Sequence, residues 1–258
     1  MQPQSLKNKP LVEAILEFKW EAAEENKSSP VDPNYRILLG RFFERVMKDY
    51  TVHEPLPSST IPDEMVKNLP QHRFRTEAGE WPLVQLGPGL LSVNETEKYH
   101  WPEFRSRCEK AIANFVESYP SPTSLKPKSL ALWYIDAVEF NHPKENIFHF
   151  MKEKMKTRLE LPSALFKEAR VQDKPASFKW QVSYGVERPK GRIKLRFGTG
   201  ERNGRPSLIW ETIVISNGND VPKLSEDFMG WLDAAHDLAD KWFFTLIEGD
   251  LHRQFSGE

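Results

Sequence analysis

Between Ser225 and Ile247 the apolar residues fall at Phe228, Trp231/Leu232, Ala235, Leu238/Ala239, Trp242 and Leu246. That three-and-four spacing lines one side of an α-helix. Ser225 stands where an N-cap is expected, Glu226 and Asp227 suit the positive end of the helix dipole, and Gly249 supplies a stop. Two tryptophans on one helix need a broad apolar partner surface, and a β-sheet face meets that need. The chain must therefore contain sheet wide enough to receive this helix.

The upstream sequence supplies it twice. Leu11 to Trp20 alternates, with Val12, Ala14, Leu16, Phe18 and Trp20 on one side and Glu13, Glu17 and Lys19 on the other. Glu21 to Pro30 reads as a polar connection. Asp32-Pro33 then opens a helix, Asp as N-cap, with Tyr35, Leu38/Leu39, Phe42 and Val46 as its stripe. Strand signals follow at His72–Thr76, Leu83–Leu86 and Leu90–Asn94, the last two joined by Gly87-Pro88-Gly89. Trp101 to Tyr119 is a second helix, carrying Phe104, Cys108, Ile112 and Phe115 at helical spacing. The order then restarts. Leu130–Phe140 is an apolar strand, Asn141-His142-Pro143 turns into a helix with Ile147, Phe148, Met151 and Met155, and Leu161–Pro175 is expected to be a loop with room for a short helical turn. Three strands follow: Phe178–Val186, then Ile193–Phe197, then Leu208–Ile215 after a turn over Gly198–Pro206.

Each half thus runs strand, helix, antiparallel meander, long helix. The expected fold is α+β with two similar halves, a TATA-binding-protein or helix-grip arrangement, in which helices cover one sheet face and leave the other open. The expected units are 1–120 and 130–258, with the proline- and serine-rich stretch 121–129 as linker. One continuous sheet through both halves is the alternative.

Three segments, Pro10–Phe18 (Pro-Leu-Val-Glu-Ala-Ile-Leu-Glu-Phe), Leu130–Val138 (Leu-Ala-Leu-Trp-Tyr-Ile-Asp-Ala-Val) and the tail from Ala235-His-Asp-Leu to Leu251–Phe255, are similar to the opening, central and closing motifs of a sporadically distributed bacterial family. Asp136 stands where that family more commonly has Asn, and Trp133 where it has Arg. The resemblance brings no activity to carry over. It implies genes that travel with mobile elements and defence systems, CRISPR-associated loci included.

Basic and acidic residues nearly cancel, 36 against 37, so no global field draws the chain to nucleic acid or a membrane. A single cysteine, Cys108, excludes a disulfide framework and a cysteine-rich metal site. With no apolar h-region in Met1–Lys9 and no membrane-length apolar run, a cytoplasmic setting is expected.

Chemistry-bearing patterns are few. Gly87-Pro-Gly89 and Gly198-Thr-Gly200 lack phosphate-loop spacing. His142, Glu145 and His149 lack the spacing of a helical zinc pair, and no metal or other cofactor is expected. His236-Asp237 lacks the partner ligands of a metal-dependent phosphohydrolase; with Asp233 and Asp240 it reads as a solvated acidic helix face, His236 holding the helix in register. Glu13 and Glu17 share one strand face and read as edge protection, with a carboxylate pair as the sharper reading. The most informative cluster is basic. Arg188, Lys190, Arg192, Lys194 and Arg196 recur at every second residue, and Arg202 and Arg205 follow in the next turn. Such a row suits phosphates or an acidic protein surface, with Trp180 or Tyr184 available for stacking.

No set of nucleophile, acid/base and electrophile converges, which points away from catalysis. The leading expectation is a cytoplasmic interaction protein of a defence-type locus that binds a protein partner. The alternatives are a nucleic-acid binder using Arg188–Arg205, and an enzyme whose pocket would gather Glu13, Glu17, Asp136 and His236.

Overall fold

The alternation at the N-terminal end becomes strand β1 (Leu11–Glu21), in which Ala14, Leu16, Phe18 and Trp20 are fully buried. The computed structural model describes residues 6–21, 32–66, 68–96, 98–121, 125–142 and 144–258. Along the chain follow α1 (Tyr35–Val46), β2 (Val52–Pro55), β3 (His72–Arg75), β4 (Leu83–Gly87), β5 (Leu90–Glu95) and α2 (Trp101–Ser118). The second half holds β6 (Lys126–Glu139), α3 (Ile147–Lys154), α4 (Ala164–Lys167), β7 (Lys179–Val186), β8 (Gly191–Arg202), β9 (Arg205–Asn217), α5 (Phe228–Ile247) and α6 (Asp250–Ser256). Residues 1–5, the polar connection after Glu21, the centre of the expected linker and Pro143 lie outside the described residues.

The chain is α+β, built on one nine-stranded antiparallel sheet in the order β2-β3-β4-β5-β1-β6-β9-β8-β7. The sheet is continuous because β1 and β6 pair directly, Phe18 opposite Leu130. The stretch 121–129 is therefore partly strand. Pro127 fits because it lies at a register shift beside Trp20, where the ladder is already interrupted.

Helices α1, α2, α3, α5 and α6 all pack on one face. Phe18, Trp20, Phe42, Phe74, Phe104, Phe115 and Leu232 belong to one core cluster, and Met151, Phe197, Trp210, Ile247 and Phe255 to another. The closing helix spans both, from Phe228 in the first to Ile247 in the second. Trp231 is buried, its Nε1 donating to Ser216 Oγ at 2.8 Å, and Trp242 is half-buried. The helix starts at Phe228 instead of Ser225, with Asp227 as N-cap, because residues 224–227 form turns.

The Asp32 expectation fails for a different reason. Asn34 occupies the N-cap position of α1, and Asp32 is buried beneath it. Its Oδ2 accepts hydrogen bonds from Trp20 Nε1 and Tyr119 Oη, each at 2.8 Å.

Across the sheet, α2 and α5 are joined by Arg105, whose Nε and Nη2 donate to Asp233 Oδ1 and Oδ2 at 2.6 and 2.9 Å. Both side chains remain partly in solvent. Arg105→Ala is expected to lower stability by no more than ~1 kcal/mol, read from the urea midpoint and shrinking further in salt.

Candidate functional site

The face that α1, α2, α3, α5 and α6 leave bare is set by strand parity. Side chains alternate across a strand, so residues directly opposite in neighbouring strands share a face. One row across the sheet reads Arg75, Leu83, Asn94, Ile15, Trp133, Ile213 and Lys194; the next reads Arg73, Gln85, Ser92, Glu17, Ala131, Ile215 and Arg192. The middle of this open face is apolar: Ile15, Trp133, Ile135, Ile209 and Ile215 are half-buried, and Ala131 and Ile213 are buried.

The two flanks differ. On the β3–β5 side the polar groups pair mainly among themselves, with Arg73 Nε left buried without a hydrogen-bond partner among the described residues. Glu54 binds Arg75 at 3.0 Å, Ser92 Oγ donates to Asn94 Oδ1 at 2.7 Å, and Asn94 Nδ2 donates to Glu13 Oε1 at 2.8 Å. Burial pushes the Glu13 carboxyl above its ordinary range, against the Asn94 hydrogen bond and the Arg73 charge, which pull it down. Glu17 pairs with Lys19 at 2.7 Å. On the β8 side the field is positive. Arg196 lies over Trp133, 5.6 Å from the ring centre, and donates to Gln181 Oε1 and Glu211 Oε2 at 2.8 and 3.1 Å. Arg192 and Lys194 have no hydrogen-bond or ion-pair partner among the described residues.

The basic cluster is therefore smaller than its spacing suggests. Arg192, Lys194 and Arg196 do share the open face, but Arg188 sits in the turn before β8, and Lys190 pairs with Asp220 at 2.8 Å. Arg202 and Arg205 are not in a turn. β8 continues through Gly198 and Gly200 to Arg202, which pairs with Arg205 across a turn at Asn203-Gly204, both at positive φ. Arg202 is consumed structurally, donating from Nη1 to Pro10 O at 3.0 Å and from Nη2 to Leu11 O at 3.2 Å. Arg205 pairs with Glu139. Trp180 and Tyr184 face the helix side, opposite Phe197 and Ile193, so neither can stack beside the basic row. Trp133 is the aromatic that stands there. The Leu130–Phe140 run is apolar on both faces, so composition did not show which side Trp133 takes; the pairing of Ile15 with Trp133 does.

The four residues of the enzyme reading are split by the sheet. Glu13 and Glu17 lie on the open face, whereas Asp136 and His236 lie on the helix-covered side. They cannot line one pocket. Nor is His236 on a solvated face. It stacks on Trp101 at 3.7 Å and shares a 2.9 Å hydrogen bond with Tyr134 Oη, which meets Tyr99 Oη at 2.9 Å. Burial lowers its pKa to about 4, with Asp237 and Asp233 opposing. Register-holding is what this geometry does, through a mid-strand tyrosine. An open cleft of about 610 Å³ lies elsewhere, lined by Lys144, Asn146, Phe166, Lys167 and Asp173 among others, and includes none of the residues singled out from sequence. Among the described residues no helix is long and apolar enough to cross a membrane, and no group of three or more His, Cys, Asp or Glu is placed to hold a metal ion.

No protein-family model matches the chain, and no curated protein matches it significantly. Among solved structures it is similar to a Methanococcus jannaschii TBP, at 10% identity and a TM-score of 0.24, covering 92% of this chain and 98% of that one. A likeness of that degree carries no functional assignment.

Proposed function

We propose that the chain is a non-catalytic interaction protein whose open sheet face receives a protein partner, the contact centred on Trp133 and Ile135 and bordered by Arg192 and Lys194. The observation that carries this reading is the pair of unneutralised cations, Arg192 and Lys194, beside an apolar strip that α1, α2, α3, α5 and α6 do not cover. An apolar centre with a polar rim, rich in Trp and Arg, is how protein-binding surfaces are composed. The free cations fit an acidic edge on the partner. The resemblance to the sporadically distributed bacterial family supports placing that partner in a defence-type locus, CRISPR-associated ones included, and the single cysteine supports a reducing, cytoplasmic setting. The sheet order, β1-β5-β4-β3-β2 on one side of the centre and β6-β9-β8-β7 on the other, supports reading the halves as copies of one TATA-binding-protein or helix-grip-like unit.

Nucleic acid is the weaker occupant of the same face. Glu13, Glu17, Glu54 and Glu211 stand on it, and Arg196 and Arg202 are already engaged. With Arg192 and Lys194 as the free cations, affinity should fall with salt on a log–log slope no steeper than about −2. The test is co-purification with the products of adjacent genes, followed by binding titrations. Trp133→Ala and the pair Arg192→Glu/Lys194→Glu should each weaken the partner at least tenfold, with circular dichroism unchanged. A partner held equally by all three proteins removes the reading. Tight oligonucleotide binding with a steep salt slope would transfer the face to nucleic acid.

A further inference from the structure

The sheet's two ends are built differently. At one, β2 is four residues long and closes on Pro55, which has no N–H to offer. At the other, β7 runs eight residues with no proline and no charge after Lys179. Native sheets rarely leave a long uncharged edge unpaired.

The ladder decides which groups this edge offers. Thr199 N donates to Phe178 O at 3.2 Å, so Phe178 directs its backbone toward β8. By alternation Trp180, Val182, Tyr184 and Val186 do the same, while Lys179, Gln181, Ser183 and Gly185 direct N–H and C=O away from the sheet. These four residues are exposed, and none makes a backbone hydrogen bond outside the β7–β8 ladder among the described residues. Lys179 and Glu187 bracket them, both exposed and without an ion-pair partner among the described residues.

We infer that β7 pairs antiparallel with β7 of a second copy of this chain, about a twofold axis through Ser183. That register sets Ser183 opposite Ser183, Gln181 opposite Gly185, and Lys179 opposite Glu187. Ser183 with Ser183 and Gln181 with Gly185 are outward-pointing pairs, so main-chain bonds close along the middle of the edge, and Glu187, the first turn residue after β7, meets Lys179 through its side chain. On the helix side Val182 comes beside Tyr184, which is 54% exposed in the single chain, and Trp180 beside Val186. Lys179–Glu187 pairs end the ladder on both sides. Sliding the register by two residues keeps the outward groups matched but sets Lys179 against Gly185 and loses both ion pairs. A twofold contact requires this kind of self-complementarity. The inference does not depend on the open-face reading, since β7 contributes its edge and not its face.

Sedimentation velocity over rising protein concentration should show a monomer–dimer equilibrium. Ser183→Pro deletes an N–H that the β7–β8 ladder does not use, and should abolish the dimer. Because proline can also disturb β7 itself, charge reversal is the second arm. Lys179→Glu should weaken self-association about tenfold, as should Glu187→Lys. The double variant Lys179→Glu/Glu187→Lys should restore it, and mixing the two single variants should yield a heterodimer. A chain that stays monomeric at all concentrations overturns the inference. So does a dimer indifferent to both the proline and the charge variants.

Discussion

Asp32→Ala is expected to remove ~4 kcal/mol of folding free energy, measured as a lower urea midpoint at unchanged slope. The Asp32 side chain is 5% exposed and sits among Trp20 and Tyr119, which are 0% and 3% exposed. Trp20 Nε1–H and Tyr119 Oη–H both donate to Oδ2, and the Asn34 N–H donates to Oδ1 at 2.9 Å. Hydrogen bonds to a charged acceptor are worth roughly 1.5–3 kcal/mol each, and a buried donor left without a partner forfeits its solvation as well. Tyr119→Phe deletes one donor and leaves the acceptor occupied by Trp20, so its loss should be about 1.5 kcal/mol. The ratio between the two variants is the informative quantity. Equal losses would mean that water replaces the carboxylate as acceptor for the indole, and that the Asp32 site is hydrated.

The same residue shows why part of this structure was legible in the sequence and part was not. Periodicity carries the elements: β1, α2, β8 and α5 declare themselves because one face of each is apolar at its own period. What periodicity does not carry is what a polar residue meets once distant elements close over it. Asp32 before Pro33 has the form of a helix start, and its acceptors' partners come from positions 20 and 119, invisible until β1 and α2 are docked. His236 shares its helix with Asp233, Asp237 and Asp240, which makes that side look solvated; α2 lying alongside α5 places Trp101 over the ring. Gly198 and Gly200 have the composition of turn residues, whereas the chain reverses at Asn203-Gly204, which leaves Arg202 inside β8. That Arg192, Lys194 and Arg196 share a face is legible because alternation alone fixes it. The aromatic beside them, Trp133, is not legible in the same way, because a central strand apolar on both faces gives no sign of which residue faces which way.

A second buried carboxylate should make the protein's stability depend on pH in an unusual direction. Asp136, on β6 opposite Trp210, is 3% exposed, and its Oδ2 has no hydrogen-bond partner among the described residues. Burial pushes its pKa up to about 8, the Arg202 charge pulling the other way. The folded protein then holds this proton more tightly than the unfolded chain, whose carboxyl titrates near 4. The stability tied to it is complete in acid and is lost as pH rises through about 8. His236 works in the opposite sense: its folded pKa of about 4 makes stability fall as pH drops below its unfolded value of about 6.5. From about pH 4 to 6.5 the two slopes oppose each other, and from about 6.5 to 8 only Asp136 of the pair is titrating. Wild-type stability should therefore decline by about 1.4 kcal/mol per pH unit over that upper window, roughly 2 kcal/mol in all. Asp136→Asn keeps the shape, cannot ionise, and should flatten the decline, leaving the variant more stable than the wild type by several kcal/mol on the alkaline side. Denaturant titrations at half-unit pH steps read both slopes. If the asparagine variant keeps the wild-type slope, Asp136 is ionised in the folded protein, which would mean that the Arg202 charge prevails over burial even while its guanidinium is held by the carbonyls of Pro10 and Leu11.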